Sequence, residues 1–256
     1  MSQHFISVKR LKTFMHDCLT AVGVPSADAR IVTDILIASD LRGIESHGIG
    51  RLKMYIDRIQ DGRQKPVTDF HVLNESSGTA LIDGHHGMGH VIAYKAMEMA
   101  IHKANNVGVG AVAVRNSTHF GIAGYYAQMA ADKGMLGMAF TNARPSISPT
   151  CGHDPLLGTN PIAFAAPTDE EHPFLLDMAT SITQRGKIEV AARKQCPVPE
   201  GWAIDLEGKP VTEPSRLLKM LGEKTASLLP LGGATEELAG YKGYGLALMV
   251  EILSSA

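Results

Sequence analysis

Apolar residues recur at helical spacing over the first part of the chain. This spacing predicts helices over residues 7–22, from Ser26 to Gly43 and over residues 46–61, where Ser46 is a suitable N-cap. Residues 1–75 are therefore expected to form a helical domain at the N-terminus.

From Thr79 onward, short apolar runs alternate with helical patterns. The segments predicted as strands are 80–82, 107–114, 135–141, 161–166 and 173–177, and those predicted as helices are 90–105, 122–133 and 184–193. Residues 195–214 are rich in proline and glycine, which indicates surface turns. The alternation is typical of a mixed α/β domain, which we expect over residues 76–256.

The last predicted helix, residues 243–256, is apolar on nearly every face and carries one charged residue, Glu251. A helix of this kind is normally buried. It also stops without a C-terminal glycine, a basic last turn or a polar tail. We expect that the fold continues beyond residue 256, and that residues 1–256 alone expose apolar surface and tend to aggregate.

Composition and charge argue against several classes of partner. The chain has 256 residues, 45% of them hydrophobic and 20% charged, with a net charge of −2 and no long run of one sign. Nucleic acid and anionic membranes are therefore not expected as partners. No apolar stretch approaches the ~18 residues of a membrane span, and no secretory signal is visible. The three cysteines form no CxxC pair, so a reduced cytoplasmic location is expected.

Two short motifs carry the candidate chemistry, and each places an imidazole beside a hydroxyl and glycines. In the first, residues 46–51, a helix would bring His47, Arg51 and Tyr55 to one face at positions i, i+4 and i+8. A proton-transfer group, a carboxylate clamp and a phenol would then point the same way. The second motif is residues 117–121, which contain His119.

The presence of Gly48 and Gly50 favours a functional interpretation of the first motif over a purely structural one. Each glycine costs about 1 kcal/mol relative to alanine inside a helix, and close approach of a ligand would explain both. The alternative is an ordinary surface helix that begins at Ser46 and ends before Gly62.

Dinucleotide and metal signatures are weak. Residues 108–113 match the letters GxGxxA but follow a predicted helix, and the glycines at 87–89 lack the third glycine and the acidic residue at the end of the next strand, where Arg115 stands. The histidines at 85, 86 and 90 lie in a glycine-rich turn without a zinc-ligand pattern, so no metal is expected. No GxSxG elbow supports a hydrolase.

Five segments in order resemble the type 2 malate/L-lactate dehydrogenases, whose relatives include ureidoglycolate, sulfolactate, diketogulonate and piperideine-carboxylate enzymes. The segments are DLRGIESHG at 40–48, STHFG at 117–121, LGTNP at 157–161, LDMAT at 176–180 and GYKGYG at 240–245. The resemblance covers nearly the whole chain. It implies a helical N-terminal part with a non-Rossmann mixed-sheet NAD(P)-binding domain, and a homodimer with active sites between domains.

The resemblance also implies roles for the residues of the substrate site. His47 would be the acid/base, oriented or relayed by Ser46, and Arg51 would grip the substrate carboxylate. Tyr55, which the helical spacing places on the same face, is a further candidate for contact with the substrate. The residues implied to line the rest of the substrate pocket are Thr159, Arg185 and Gly186.

The cofactor implied by the resemblance is NAD or NADP. The second motif and the following helix start would contact it through His119, Phe120, Gly121, Ile122 and Ala123. The cleft would be completed by Asp177, Met178, Ala179, Lys242 and Gly243. His119 stays a competing candidate for the acid/base, since some relatives assign the base to this motif.

One position departs from part of the family. Some reductase branches carry an aspartate in a proton relay where this chain has Lys187, which favours a malate- or lactate-type enzyme over an imino-acid reductase. The resulting hypothesis is an NAD(P)-dependent 2-hydroxyacid dehydrogenase. The alternatives are a catalytically silent, ligand-binding relative and a reductase of diketo or imino acids.

Overall fold

The computed structural model describes residues 5–255, and the contacts between them divide the chain into two units. The first unit ends at Leu136 and the second begins at Gly137. This division differs from the boundary expected at residue 75. The structure confirms a mixed α/β class, whereas the assignment of domains stays a prediction. Ala256, the end of the last predicted helix, lies outside the described residues.

The first unit contains helices at both ends and a small sheet between them. Its elements are α1 (Val8–Ala21), α2 (Ser26–Leu41), a 3₁₀ turn (Ile49–Arg51), α3 (Leu52–Gln60), β1 (His71–Glu75), β2 (Thr79–Asp83), α4 (Gly89–Val107), β3 (Ala111–Arg115) and α5 (Gly124–Ala131).

The sheet of the first unit is mixed. Strand β2 pairs antiparallel with β1 and parallel with β3, and α4 makes the crossover between the two parallel strands. The predicted N-terminal helices share their core with the start of α4, because Leu19, Leu36, Tyr55 and Val91 belong to one buried cluster. The start of α4 is therefore anchored to the helices that carry the first motif.

The second unit contains two sheets, in which the strands pair antiparallel. Its elements are β4 (Gly137–Phe140), β5 (Ile162–Ala166), β6 (Phe174–Met178), α6 (Arg185–Lys194), β7 (Ala203–Asp205), α7 (Pro214–Glu223), β8 (Ala226–Leu228) and α8 (Gly240–Ser255). Strands β4, β5 and β6 form an antiparallel sheet, and β7 pairs antiparallel with β8. A second core lies beneath α6 and α7, around Ile188 and Leu217.

Two predictions of local structure are wrong. The helix expected from residue 46 begins later, as a 3₁₀ turn at Ile49, so residues 46–48 form a turn. Residues 195–214 are not only surface turns, because they contain β7 and the buried side chains of Val198 and Val211. These side chains complete the core of the second unit.

Helix α8 exposes apolar side chains, as the sequence led us to expect. Leu248, Met249, Ile252 and Leu253 are all exposed, the last two by 58% and 61%. Among residues 5–255, the helices are too short or too polar to cross a membrane.

Candidate active site

The loop that carries the first motif is held by the end of α2. The Asp40 carboxylate accepts a hydrogen bond from the backbone N–H of Ile49 at 2.9 Å, and so caps the 3₁₀ turn. Gly48 lies directly beneath this carboxylate, since a Cβ on Gly48 would come within 1.7 Å of Asp40 Oδ1. Asp40 is therefore sufficient to explain this glycine, and the contact replaces the expected first turn of helix.

Ser46 connects the imidazole and the guanidinium of the first motif. Its hydroxyl is hydrogen-bonded to Nδ1 of His47 at 2.8 Å, and its backbone carbonyl accepts from Nε of Arg51 at 2.7 Å. The orientation of both side chains thus depends on one buried serine. The structure brings His47 and Arg51 together, as predicted, although by a turn instead of a continuous helix face.

The second motif is held against the start of α4. The Thr118 hydroxyl accepts from the backbone N–H of Gly89 at 2.9 Å and donates to the Gly87 carbonyl at 2.8 Å. A Cβ on Gly89 would lie 2.2 Å from the Thr118 carbonyl oxygen, so only glycine permits this approach. The glycines at 87–89 serve to dock the loop that carries His119.

The two motifs meet through their histidines. The rings of His47 and His119 are stacked, with centroids 5.6 Å apart and planes inclined by 18°. The sequence pattern suggested each motif separately, and the fold of the first unit places them side by side.

Two donors fix the tautomer of His119. The Tyr55 hydroxyl lies 2.7 Å from Nδ1 of His119, and the backbone N–H of Gly121 donates to the same nitrogen at 3.3 Å. Because a backbone N–H can only donate, Nδ1 must be the unprotonated nitrogen. The proton of the neutral ring is therefore on Nε2, where it can be donated to an oxygen atom.

The electrostatics of the cluster agree with this assignment. Burial, reinforced by His47, holds the pKa of His119 well below its usual value of 6.5. Burial also raises the pKa of Tyr55, so its hydroxyl stays protonated and available as a donor. His119 thus has the character of a neutral hydrogen-bond donor.

Tyr55 and His90 differ from what the sequence suggested. Tyr55, predicted to contact the substrate, is fully buried within its unit and bonded to His119 instead. His90, which the sequence places in a glycine-rich turn, is fully buried beside Tyr55, with ring centroids 4.7 Å apart in an edge-to-face arrangement. The sequence gives no signal for this pairing, because it depends on the packing of α3 against α4.

The remaining residues of the second motif continue into α5. Phe120 and Gly121 are partly buried, whereas Ile122 and Ala123 are almost completely buried. Gly121 has φ +79°, a conformation that suits glycine.

The predicted residues of the second unit are joined by backbone contacts. The Thr180 N–H donates to the Thr159 carbonyl at 2.9 Å, and the Leu231 N–H donates to the Thr180 carbonyl at 2.9 Å. Gly243 lies against Leu231, where a Cβ would come within 2.3 Å of its carbonyl oxygen. Thr159 and Gly243 are thus brought to the end of β6, which carries the segment 177–179.

Polar side chains of the second unit flank this junction. Arg185, in the first turn of α6, is paired with Glu189 at 3.2 Å, and the adjacent Gly186 is buried. Lys242 is exposed, with Nζ 5.9 Å from the centre of the Tyr241 ring. Asp177 is also exposed.

The carboxylate of Asp83, at the end of β2, accepts hydrogen bonds from several donors. Asp83 accepts from Arg115 Nε at 2.8 Å, from the His85 N–H at 2.9 Å and from the Asn116 amide. The hydrogen bond from His85 is the largest influence lowering the pKa of Asp83, to about 2. Within the described part of the chain, no group of three or more His, Cys, Asp or Glu side chains is arranged to hold a metal.

The model of the malate/L-lactate dehydrogenase family matches residues 6–256. The chain belongs to this family.

Several members of the malate/L-lactate dehydrogenase family are closely similar. The chain is 52% identical over 245 residues to the malate dehydrogenase of Pyrococcus horikoshii. This alignment covers 96% of this chain and 66% of that protein. It is 46% identical over 244 residues to the L-sulfolactate dehydrogenase of Methanocaldococcus jannaschii. This alignment covers 95% of this chain and 67% of that protein.

A solved structure of a malate dehydrogenase from Entamoeba histolytica has the same fold. It superposes with a TM-score of 0.97 at 45% identity and covers 99% of this chain and 71% of that chain. The chain therefore spans about two thirds of the length of the curated relatives that it matches.

Proposed function

We propose that the protein is an NAD(P)-dependent 2-hydroxyacid dehydrogenase that acts on malate, lactate or a similar small acid. The observation that supports this most directly is the stacked pair of His47 and His119, with Arg51 tied to the serine that orients His47. A proton-exchanging group, a hydrogen-bond donor and a cation are the groups that a 2-oxoacid requires. The relatives named for malate and sulfolactate support the same class of substrate.

His47 is the acid/base in this proposal. Its Nδ1 is engaged by Ser46, so the proton is exchanged at Nε2. It takes the hydroxyl proton when the hydroxyacid is oxidised and returns it when the oxoacid is reduced. Arg51 binds the substrate carboxylate, since a guanidinium matches this planar group with two parallel hydrogen bonds.

His119 is a hydrogen-bond donor rather than a second base. Its Nε2–H would donate to the oxygen of the reacting carbon and stabilise the negative charge that develops there. A neutral imidazole is suited to this task because its proton is shared without being lost. Tyr55 acts through His119 and does not touch the substrate.

Two side chains proposed for the cofactor site have polar groups that suit a dinucleotide. The exposed ammonium of Lys242 suits a phosphate, and the exposed carboxylate of Asp177 suits ribose hydroxyls. The backbone at 119–123, the segment 177–179 and Gly243 would contact the rest of the cofactor, and Thr159, Arg185 and Gly186 the substrate. NAD(P), when bound, would supply the hydride acceptor for the hydroxyacid and the hydride donor for the oxoacid.

The test is turnover by the purified protein. NADH or NADPH is mixed with a panel that contains oxaloacetate, pyruvate, sulfopyruvate, a diketo acid and a cyclic imino acid, and the nicotinamide absorbance is followed. We expect oxidation of the reduced cofactor with one or more of the 2-oxoacids, and little with the imino acid. A failure of every member of the panel would favour a silent, ligand-binding relative.

The partners implied by the resemblance are proposed on the same basis. We infer a homodimer in the cytoplasm, without nucleic acid or membrane as a partner. Analytical ultracentrifugation of the purified protein tests the dimer, since a monomer at micromolar concentration would contradict it.

A further inference from the structure

His90 is an unusual residue of the first unit. It is fully buried in the first turn of α4, and neither ring nitrogen has a hydrogen-bond partner among residues 5–255. Buried polar side chains are nearly always hydrogen-bonded, so an imidazole in this position needs an explanation. Neither of the two sequence motifs includes it.

The contacts of His90 lead to His119. The ring of His90 meets the Tyr55 ring edge-to-face at 4.7 Å. It also borders Gly121, because a Cβ on Gly121 would lie 3.2 Å from Cδ2 and Nε2 of His90. Tyr55 and Gly121 are the two groups that donate to Nδ1 of His119. One ring therefore packs behind both of the donors that fix the tautomer of His119.

His90 also stays neutral beside this site. Burial, with a smaller contribution from His47, lowers the pKa of His90 to about 3. The positive end of the α4 dipole disfavours a protonated ring at this position in the same direction. The ring of His90 therefore adds no positive charge next to His119.

We propose that His90 is a positioning residue of the active site, whose ring holds Tyr55 and Gly121 against Nδ1 of His119 and so keeps the proton of His119 on Nε2. The inference rests on the role proposed above for His119 in 2-oxoacid reduction. The contribution of His90 is its aromatic shape, since neither of its nitrogens has a hydrogen-bond partner within the described part of the chain. A phenylalanine can supply this shape, and an alanine cannot.

The first test is spectroscopic and requires no turnover. In the ¹⁵N-labelled protein, the shifts of the two His119 ring nitrogens distinguish the Nε2–H form from the Nδ1–H form, and His119→Ala identifies the signals. We expect the Nε2–H form in the unaltered protein and in His90→Phe, and a mixture of both forms in His90→Ala. Unchanged His119 signals in His90→Ala would overturn the inference, even if no oxoacid were turned over.

The second test separates positioning from general loss of packing. Ile92→Ala is the matched control, because Ile92 is fully buried on the same helix but belongs to a different cluster from Tyr55. We expect His90→Ala to lower kcat by about 10- to 100-fold, with KM nearly unchanged, and Ile92→Ala to lower only the melting temperature. Equal kcat losses in both variants would show that His90 has a purely structural role.

The third test asks whether His90 acts through Tyr55. We expect the kcat loss of the double variant His90→Ala/Tyr55→Phe to be much smaller than the product of the two single losses, because both changes disturb the same donor to His119. Independent losses would contradict the proposed route. A kcat loss in His90→Phe as large as that in His90→Ala would also contradict it, since a ring nitrogen would then be required.

Discussion

Asp40 lies over Gly48 so closely that an added methyl group would come within 1.7 Å of its carboxylate oxygen. The same carboxylate caps the 3₁₀ turn at Ile49. This contact between the end of α2 and the first motif determines where His47 lies. Gly50, two residues further on, has no such neighbour, since the nearest atom to an added Cβ is 3.7 Å away.

The two glycines of the first motif should respond differently to the same substitution. We expect Gly48→Ala to displace Asp40, to destabilise the fold by about 1–3 kcal/mol and to lower kcat. Gly50→Ala should leave both almost unchanged, because its Cβ meets only an ordinary contact. Denaturant unfolding and steady-state kinetics of the two variants test this, and equal effects would show that Asp40 does not position the loop.

His47→Ala should lower kcat by at least about 100-fold, the usual effect of losing a general acid or base. Cofactor binding, measured by nicotinamide fluorescence, should be largely kept. His102→Ala is a suitable control, because His102 is exposed on α4. A mild effect of His47→Ala together with complete loss in His119→Ala would reverse the roles proposed for the two histidines.

Arg51→Lys should act mainly on the KM of the oxoacid. An ammonium cannot reproduce two parallel hydrogen bonds to a carboxylate, so we expect KM to rise about tenfold or more. Arg63→Lys, at an exposed pair with Asp61, should leave the kinetic constants unchanged. If Arg51→Lys lowered kcat at constant KM, Arg51 would act on the transition state rather than as a carboxylate clamp.

Acid should destabilise the first unit in a range set by its buried histidines. Below pH ~6.5 the unfolded chain binds protons at His90 and His119, whereas the folded chain, with lowered pKa values, does not. The free energy of unfolding should therefore fall between pH 6.5 and 4.5, by up to about 1.4 kcal/mol per pH unit for each histidine. Melting temperatures as a function of pH measure this.

The matched variant for the pH measurement is His90→Phe, which removes one of the two buried histidines and should make the slope shallower. Asp83 does not affect the slope in this range. Its pKa is lowered to about 2, so its contribution to stability is lost only as the pH falls below its ordinary pKa of 3.8. An unchanged slope in His90→Phe would show that His90 is not held neutral by burial.

The sequence predicted the parts of the fold that depend on local pattern. The helix capped by Ser7, the strand at 80–82 and the long helix that follows it are confirmed. The match to the malate/L-lactate dehydrogenase family is also confirmed. These features depend on residues that are close in sequence or on several motifs in a fixed order.

Elements that depend on distant contacts were missed. Strand β1 has five exposed residues and no alternation, and β8 has only three residues. Helix α7 differs, because its start has a local signal in the sequence, Pro214 directly after Glu213. Pro214 occupies the first position of the helix, and Glu213 caps it by accepting from the backbone N–H of Ser215. The predicted start of the third helix at residue 46 is wrong, because Asp40 binds the N–H of Ile49 and the helical structure begins there.

The residues of the candidate site divide in the same way between local and tertiary signals. Both histidine motifs were visible in the sequence, but the stacking of their rings is tertiary. The bond between Tyr55 and His119 and the position of His90 depend on how α3, α4 and the second motif pack. No spacing rule within one segment could have given them.

Arg115 stands at the end of β3, in the strand–helix–strand crossover of the first unit. In a Rossmann protein, an arginine in this region accommodates the 2′-phosphate of NADP. Here the guanidinium is paired with Asp83, whose carboxylate also holds His85 and Asn116. Substituting Arg115 would therefore release the carboxylate that holds this turn, so the stability of a variant at this position should be measured before any change in nucleotide binding is assigned to it.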